Sequence, residues 1–113
     1  MKKFIVIYHA TTAAMEQTQS MSQEEMKDGM DRWFAWAENA GDALVDFGSP
    51  LMGGVKLSPS GSTPSDHGVM GYSILEAMDM EAAQAVLAGH PHLGWADGCE
   101  LEVHEAVAMP APG

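Results

Sequence analysis

Basic residues are scarce in this chain of 113 residues, which has 5 lysines and arginines against 16 aspartates and glutamates. The formal net charge is -11 at pH 7. Binding to nucleic acid or to an anionic membrane surface requires a basic surface that neutralises phosphates. The composition therefore predicts no nucleic-acid partner and no membrane partner, and we interpret the acidity as a contribution to solubility.

Cysteine is nearly absent as well. Cys99 is the single cysteine, so no disulfide can form within the chain. The short apolar run after Met1-Lys2-Lys3 has no site typical of signal-peptide cleavage, and no apolar stretch reaches membrane-spanning length. These features predict a cytoplasmic protein, and we interpret Cys99 as an unreactive thiol because no motif near it would lower its pKa.

The motifs of several catalytic classes are missing too. The chain has no nucleophile elbow and no CxxC motif, and no pair of histidines lies four residues apart. The pair Gly53-Gly54 lacks the lysine and the following helix of a phosphate-binding loop. We therefore predict no cofactor and no metal ion.

Several segments nevertheless have clear strand or helix patterns. Lys3–His9 is rich in β-branched and aromatic residues, as is typical of a buried strand. Ser22 and Glu25 fit a capping box that begins a helix, and Gly41 is placed to end it. The apolar stripe of this helix consists of Met26, Met30, Trp33, Ala37 and Ala40, with Phe34 and Trp36 on either side. This apolar surface is wider than one sheet face needs, which indicates extra core packing, a loop contact or a second subunit.

The remaining elements follow at regular intervals. Ala43–Gly48, Met70–Ala77 and Glu100–Val107 are predicted to be strands, and Asp79 is predicted to cap a short second helix. Between the second and third strands, Gly53–Gly68 is rich in glycine, serine and proline. We expect an irregular loop there, of the kind that is either mobile or functional.

The element order predicts one α+β domain of the βαββαβ type over residues 1–108 and a disordered tail at 109–113. Right-handed crossovers place both helices on one face of the antiparallel sheet. The predicted members of the other face are Ile5, Ile7, His9, Leu44, Asp46, Ser73, Leu75, Glu102 and His104. A face of such mixed polarity needs a cover, and a second copy of the chain would provide one, so we expect a homodimer with a pocket between its sheets.

The turn Gly89-His90-Pro91-His92 is the leading candidate for a functional site. Gly89 can adopt the left-handed conformation that closes a helix, and Pro91 cannot continue one. Imidazoles titrate near neutral pH, so His90 and His92 are candidates for proton transfer or ligand contact. The alternative is that His90 makes a hydrogen bond at the helix end and that His92 is solvated.

Asp46 and His9 are candidate catalytic partners of His90. Asp46 lies in an apolar strand, where a carboxylate either faces outward from an edge strand or pairs with a histidine inside a pocket. His9 ends the first strand and is either an active-site group or a surface residue. The candidate ligand-binding residues are His92, His104, Trp95 and Ser73.

The element order, together with the segment 41–51 and the turn Gly89-His90-Pro91-His92, resembles the YCII-related family of YciI-like and DGPF-type proteins. The resemblance covers nearly the whole chain. It implies a ferredoxin-like fold that dimerises into an α+β barrel, and a catalytic histidine–aspartate pair in the cleft between the sheets. His90 stands where relatives have the aspartate, and Met26, Lys27 or Met30 stands in place of the helix histidine. The Asp-Gly-Pro-Phe signature is replaced by residues 47–51.

Two functions are compatible with these residues and with the resemblance. The first is an acid–base enzyme that acts on a small organic molecule, such as an aromatic one, with His90 as acid or base and Asp46 or His9 as its partner. The second is a non-catalytic dimeric module that binds a ligand or regulates another process.

Overall fold

The computed structural model of the chain describes residues 1–110, which form three α-helices, six strands and two short 3-10 helices. The elements are β1 (Lys2–His9), α1 (Thr12–Gln19), α2 (Gln23–Ala40), β2 (Leu44–Pro50), β3 (Val55–Ser58), β4 (Gly61–Pro64), β5 (Val69–Ala77), α3 (Met80–Leu87) and β6 (Glu100–Ala106). The 3-10 helices are Gly41–Ala43 and Pro91–Gly94. Each predicted helix and strand is present, with ends within about two residues of the predicted ones.

Four strands form one antiparallel sheet in the order β2-β5-β1-β6. In the central strand β1, the buried residues Phe4, Val6 and Tyr8 alternate with half-buried residues that point to the opposite face. Phe4 pairs with Leu75 and Val6 with Ser73 on the neighbouring strand β5. The α+β class and the antiparallel sheet predicted from the sequence are therefore confirmed.

Both α2 and α3 cover the same face of this sheet. Trp36 of α2 and Leu87 of α3 pack into one core cluster with Phe4 and Leu75. The indole Nε1 of Trp36 also donates a hydrogen bond to the carbonyl oxygen of Val86, at 3.1 Å, which joins the two helices. Burial of each large side chain contributes about 1.5–3 kcal/mol, so this cluster is a main source of stability.

The predicted assignment of faces is wrong for Ser73, Leu75 and Leu44. Ser73 and Leu75 are fully buried beneath the helices, and Leu44 packs against the same core. The face that the helices leave open instead has Tyr72 and Ile74 from β5. Both faces of β5 carry apolar residues, so the alternation along the strand does not determine which face is buried.

Helix α1 is absent from the sequence prediction. Thr11 caps its N-terminus by accepting a hydrogen bond from the backbone N–H of Ala14, at 3.1 Å. Ala14 packs with Ala10 and Cys99 in a second small cluster. Ala14 is the single buried residue of this helix, so the helix lacks the apolar periodicity by which helices are recognised.

The predicted irregular loop Gly53–Gly68 contains a β-hairpin, and this part of the prediction is wrong. Strands β3 and β4 pair with Val55 opposite Pro64, and all eight of their residues are exposed. Glycine and proline are depleted in strands, so the composition of this segment favours a loop and did not predict the hairpin.

At the C-terminal end, residues 107–110 have no regular structure, and the last three residues of the predicted disordered tail, 111–113, lie outside the described residues. Within residues 1–110, the helices are too short or too polar to cross a membrane.

Candidate functional site

The turn after α3 places its two histidines by means of backbone geometry. Gly89 has a φ of 74°, the left-handed conformation expected for the residue that closes a helix. His90 then caps the 3-10 helix Pro91–Gly94, because its Nδ1 accepts a hydrogen bond of 3.0 Å from the backbone N–H of His92. The backbone N–H of His90 donates to the carbonyl of Leu87 at the end of α3, and its imidazole begins the next helix.

The ring of His90 lies inside an aromatic cluster. It is 1% exposed, and its centroid lies 4.3 Å from that of Trp36, 4.6 Å from that of Trp33 and 5.2 Å from that of Tyr8. Burial, assisted by the nearby His92, lowers the pKa of His90 to about 4. Since Nδ1 accepts a hydrogen bond, the proton of the neutral ring is on Nε2, which has no hydrogen-bond partner among residues 1–110.

His92 is 4% exposed, so the alternative expectation that it is solvated is wrong. Its Nε2 lies 2.8 Å from the backbone carbonyl oxygen of His9 and must donate, because a carbonyl can only accept. Burial lowers the pKa of His92, although the hydrogen bond to the His9 carbonyl acts in the opposite direction. A backbone contact with Glu100 also raises this pKa. With the Nε2 proton donated to His9, the lone pair of the neutral ring is on Nδ1.

Tyr8 and Ser73 form a chain of hydrogen bonds beside the histidines. The Oγ of Ser73 donates to the carbonyl oxygen of Phe47, at 2.6 Å, and lies 2.6 Å from the Oη of Tyr8. Because the Ser73 proton is already committed, Tyr8 donates to Ser73 and its own oxygen is left as an acceptor. Burial raises the pKa of Tyr8, so the phenol stays protonated at neutral pH.

A partly enclosed pocket of about 220 Å³ opens between α2 and the side of the sheet where the edge strand β2 pairs with β5. Its lining includes His92 and five aromatic residues, Tyr8, Trp33, Phe47, Tyr72 and Trp95. Three methionines, Met26, Met30 and Met70, complete the apolar lining. The pocket therefore combines aromatic side chains with two buried polar side chains, Tyr8 and His92.

Trp95 is held in this wall by two contacts. Its Nε1 donates a hydrogen bond of 2.9 Å to the hydroxyl of Thr18 on α1. The edge of its ring lies against Gly29 of α2, where an added Cβ would collide with it. Gly29 and the helix that the sequence did not predict thus both serve to position Trp95.

The other predicted site residues lie elsewhere. His9 and His104 lie on the open face of the sheet, where the Nε2 of His104 is 2.8 Å from Glu102 and that of His9 is 4.0 Å from the same carboxylate. The hydrogen bond from His104 lowers the pKa of Glu102. Asp46 is exposed on β2 and accepts a hydrogen bond of 2.8 Å from the backbone N–H of Gly48.

The structure thus brings four of the seven predicted residues to one place: His92 and Trp95 line the pocket, and His90 and Ser73 lie beneath its aromatic wall. Sequence reasoning did not name Phe47 or the methionines as site residues, and for Trp33 it favoured core packing over contact with an aromatic ligand. The available signal was the tryptophan within the apolar stripe of α2, because Trp33 contacts Tyr8, at 4.8 Å between ring centroids, and also lines the pocket.

No protein-family model matches the sequence, and none of the curated proteins matches it.

Among residues 1–110, no group of three or more histidine, cysteine, aspartate or glutamate side chains has the geometry to hold a metal ion. The thiol of Cys99 is buried, and burial raises its pKa.

Proposed function

We propose that this protein binds a small, largely apolar organic molecule in the aromatic pocket between α2 and the β2–β5 edge. The observation that carries the proposal is the pocket itself, about 220 Å³ in volume and lined by Tyr8, Trp33, Phe47, His92 and Trp95. An apolar cavity of about 150 Å³ is large enough to hold benzene, so a molecule of one or two rings fits here. The lone pairs of Tyr8 and His92 would orient a ligand that donates a hydrogen bond.

We also propose that the chain has a ferredoxin-like arrangement, as its resemblance to the YCII-related family implies. Numbered within the main sheet alone, the strands lie in the order 2-3-1-4 with α2 and α3 on one face, which supports this arrangement. The homodimer belongs to the same proposal. Its support is the open face, where the half-buried apolar residues Ile5, Ile7 and Ile74 lie beside His9 and His104.

Acid–base catalysis on the bound molecule is the second candidate. The observation that favours it is His92, a neutral imidazole in the pocket wall whose Nε2 is fixed by the His9 carbonyl and whose Nδ1 keeps a lone pair. His90 suits this role less well, because its Nδ1 is engaged with the backbone of His92. His92 is therefore the base in this version of the proposal.

Methionine methyl groups provide a direct test of binding. In a protein with 13C-labelled methionine methyl groups, titration with indole is expected to shift the signals of Met26, Met30 and Met70, which line the pocket. The exposed residues Met52 and Met78 act as internal references. Shifts of equal size at all methionines, or none at the pocket methionines with any aromatic probe, would overturn the proposal.

A blocked pocket supplies the matched control for this titration. Met30→Trp adds bulk to the pocket lining and is expected to abolish the indole response at Met26 and Met70. Met78→Trp introduces the same residue at an exposed position outside the pocket and is expected to leave the response intact.

A further inference from the structure

The pocket has a lining that suits a positively charged guest. Tyr8, Trp33, Phe47 and Trp95 come from four different parts of the chain and meet around one space. The face of an aromatic ring carries partial negative charge and attracts a cation within about 6 Å of its centre. Methionine sulfur, present three times in the lining, is polarizable and adapts to the same kind of ligand.

The buried polar side chains in the wall also present lone pairs instead of protons. The hydroxyl proton of Tyr8 is donated to Ser73, whose own proton is donated to Phe47. The Nε2 proton of His92 is donated to the carbonyl of His9. At these two side chains an anion would therefore meet acceptors, whereas a cation or a hydroxyl donor would meet suitable partners.

The charges of the pocket lining and of the whole chain also favour a cationic ligand. The described residues that line it include no lysine and no arginine, so a carboxylate or phosphate would lose its hydration without gaining an ion pair. The chain as a whole has a net charge of -11, which raises the local concentration of cations around it.

We propose that the ligand of this pocket is an organic cation with a quaternary or alkylated ammonium group, held by cation–π contacts with Trp33, Phe47 and Trp95. The inference rests on the proposed binding function and names the chemical class of its ligand. A quaternary ammonium group suits the site because it is weakly hydrated and has no N–H groups that must be satisfied. A hydroxyl elsewhere on the ligand would donate to the oxygen of Tyr8.

Three probes of nearly the same shape test the charge of the ligand. Choline, 3,3-dimethylbutan-1-ol and 3,3-dimethylbutanoate share a branched head and differ in charge. We expect choline to bind at least about tenfold more tightly than the neutral alcohol, and the carboxylate not to bind, when binding is followed at the methyl groups of Met26, Met30 and Met70. The intact protein is used at one fixed salt concentration, because exposed charges are screened by salt.

The possible outcomes distinguish a wrong ligand class from a failure of the proposed binding function. If the neutral alcohol binds as tightly as choline, the ligand class is wrong while the binding pocket stands. If the carboxylate binds most tightly, the ligand class is wrong as well. If neither these probes nor indole shift the pocket methionines, the proposed function fails together with the inference.

Substitutions of the aromatic wall check the mechanism of binding. Trp95→Leu and Phe47→Leu each keep an apolar side chain but remove a ring, and each is expected to weaken choline binding about fivefold or more while changing the binding of the neutral alcohol less. Phe34→Leu removes an exposed ring that does not line the pocket but lies 5.8 Å from the ring of Phe47, and it is expected to weaken choline binding less than either wall variant. Equal losses for choline and the neutral alcohol in both wall variants would show that the rings contribute apolar surface alone.

Discussion

The imidazole of His90 is buried because it pairs with a backbone N–H that would otherwise be left unpaired. Its Nδ1 caps the 3-10 helix at His92, and its ring fills space between Trp33 and Trp36. A carboxylate at this position would also accept the hydrogen bond, but it would place a charge among aromatic rings. A neutral histidine meets both demands.

This burial links the stability of the protein to pH. The pKa of His90 is about 4 in the folded protein and near 6.5 in the unfolded chain, so the unfolded state binds more protons between these values. The stabilisation is complete above pH 6.5 and is lost as the pH falls toward 4. From pH 7 to pH 5 we expect His90 to account for a loss of about 2 kcal/mol in the free energy of unfolding.

His90→Asn isolates this contribution in urea titrations at the two pH values. The amide oxygen of asparagine can accept the hydrogen bond from the N–H of His92, and asparagine does not titrate. The loss of stability between pH 7 and pH 5 is expected to be smaller in the variant. Equal losses in both proteins would contradict the assignment of His90 as a buried neutral histidine.

Gly29 and Trp95 form a pair whose effects depend on each other. Glycine in a helix interior is normally destabilising, and Gly→Ala in a helix gains about 0.5–1 kcal/mol. At Gly29 the added methyl group would collide with the Trp95 ring, so Gly29→Ala is expected to destabilise the protein by about 1–2 kcal/mol.

A double-mutant cycle tests this coupling. In the background of Trp95→Ala, Gly29→Ala is expected to become stabilising, as measured by urea unfolding of the four proteins. Gly94→Ala is a control because its added methyl group has open space. The idea is wrong if Gly29→Ala has the same sign in both backgrounds.

At the scale of elements, the hairpin of β3 and β4 contributes little to the core. Its eight residues are all exposed, and a two-stranded hairpin on its own is at best marginally stable in water. At its base, the N–H of Ser65 donates to the carbonyl of Gly54, at 2.8 Å, which brings the two ends of the hairpin together.

The hairpin is therefore expected to be removable. Replacing Val55–Pro64 by Asn-Gly, a pair that favours a two-residue turn, should leave the free energy of unfolding within about 1 kcal/mol of the original value. Circular dichroism during urea unfolding provides the measurement. A loss of several kcal/mol would mean that the hairpin supports the four-stranded sheet.

Elements differ in how well the sequence predicts them. Helix α2 is predicted with its cap because Ser22 and Glu25 lie three residues apart in the chain and satisfy each other's backbone N–H groups. Helix α1 is missed because its principal role is to contact distant residues, such as Trp95 through Thr18. Local signals predict an element well when its stabilising partners are local.

At the scale of the whole molecule, the open face of the sheet bears on self-association. Ile5, Ile7 and Ile74 are half-buried there beside charged and polar groups. We expect sedimentation at low micromolar concentration to give twice the chain mass of 12.0 kDa. A wild-type protein that sediments as a monomer would contradict the homodimer.

Ile7→Lys tests which surface is used. The substitution lowers the net negative charge and thus weakens the repulsion between copies, so any loss of association must come from burying a charge in the contact. Ala35→Lys makes the same change in charge on the exposed side of α2 and is expected to leave association unchanged. Equal behaviour of the two variants would show that the open face is not the contact.

The sequence by itself determined the α+β class, the helix caps at Ser22 and Asp79, the left-handed Gly89 and the antiparallel strands. The caps and the conformation of Gly89 depend on residues within a few positions of each other, whereas the α+β class and the antiparallel strands follow from the order of the elements along the chain. Only the tertiary structure decided that Ser73 faces the helices and that Tyr8, Trp33, Phe47 and Trp95 surround one pocket. The physical reason is that apolar residues on both faces of β5 satisfy the same alternation, and the choice between them is made by contacts across the fold.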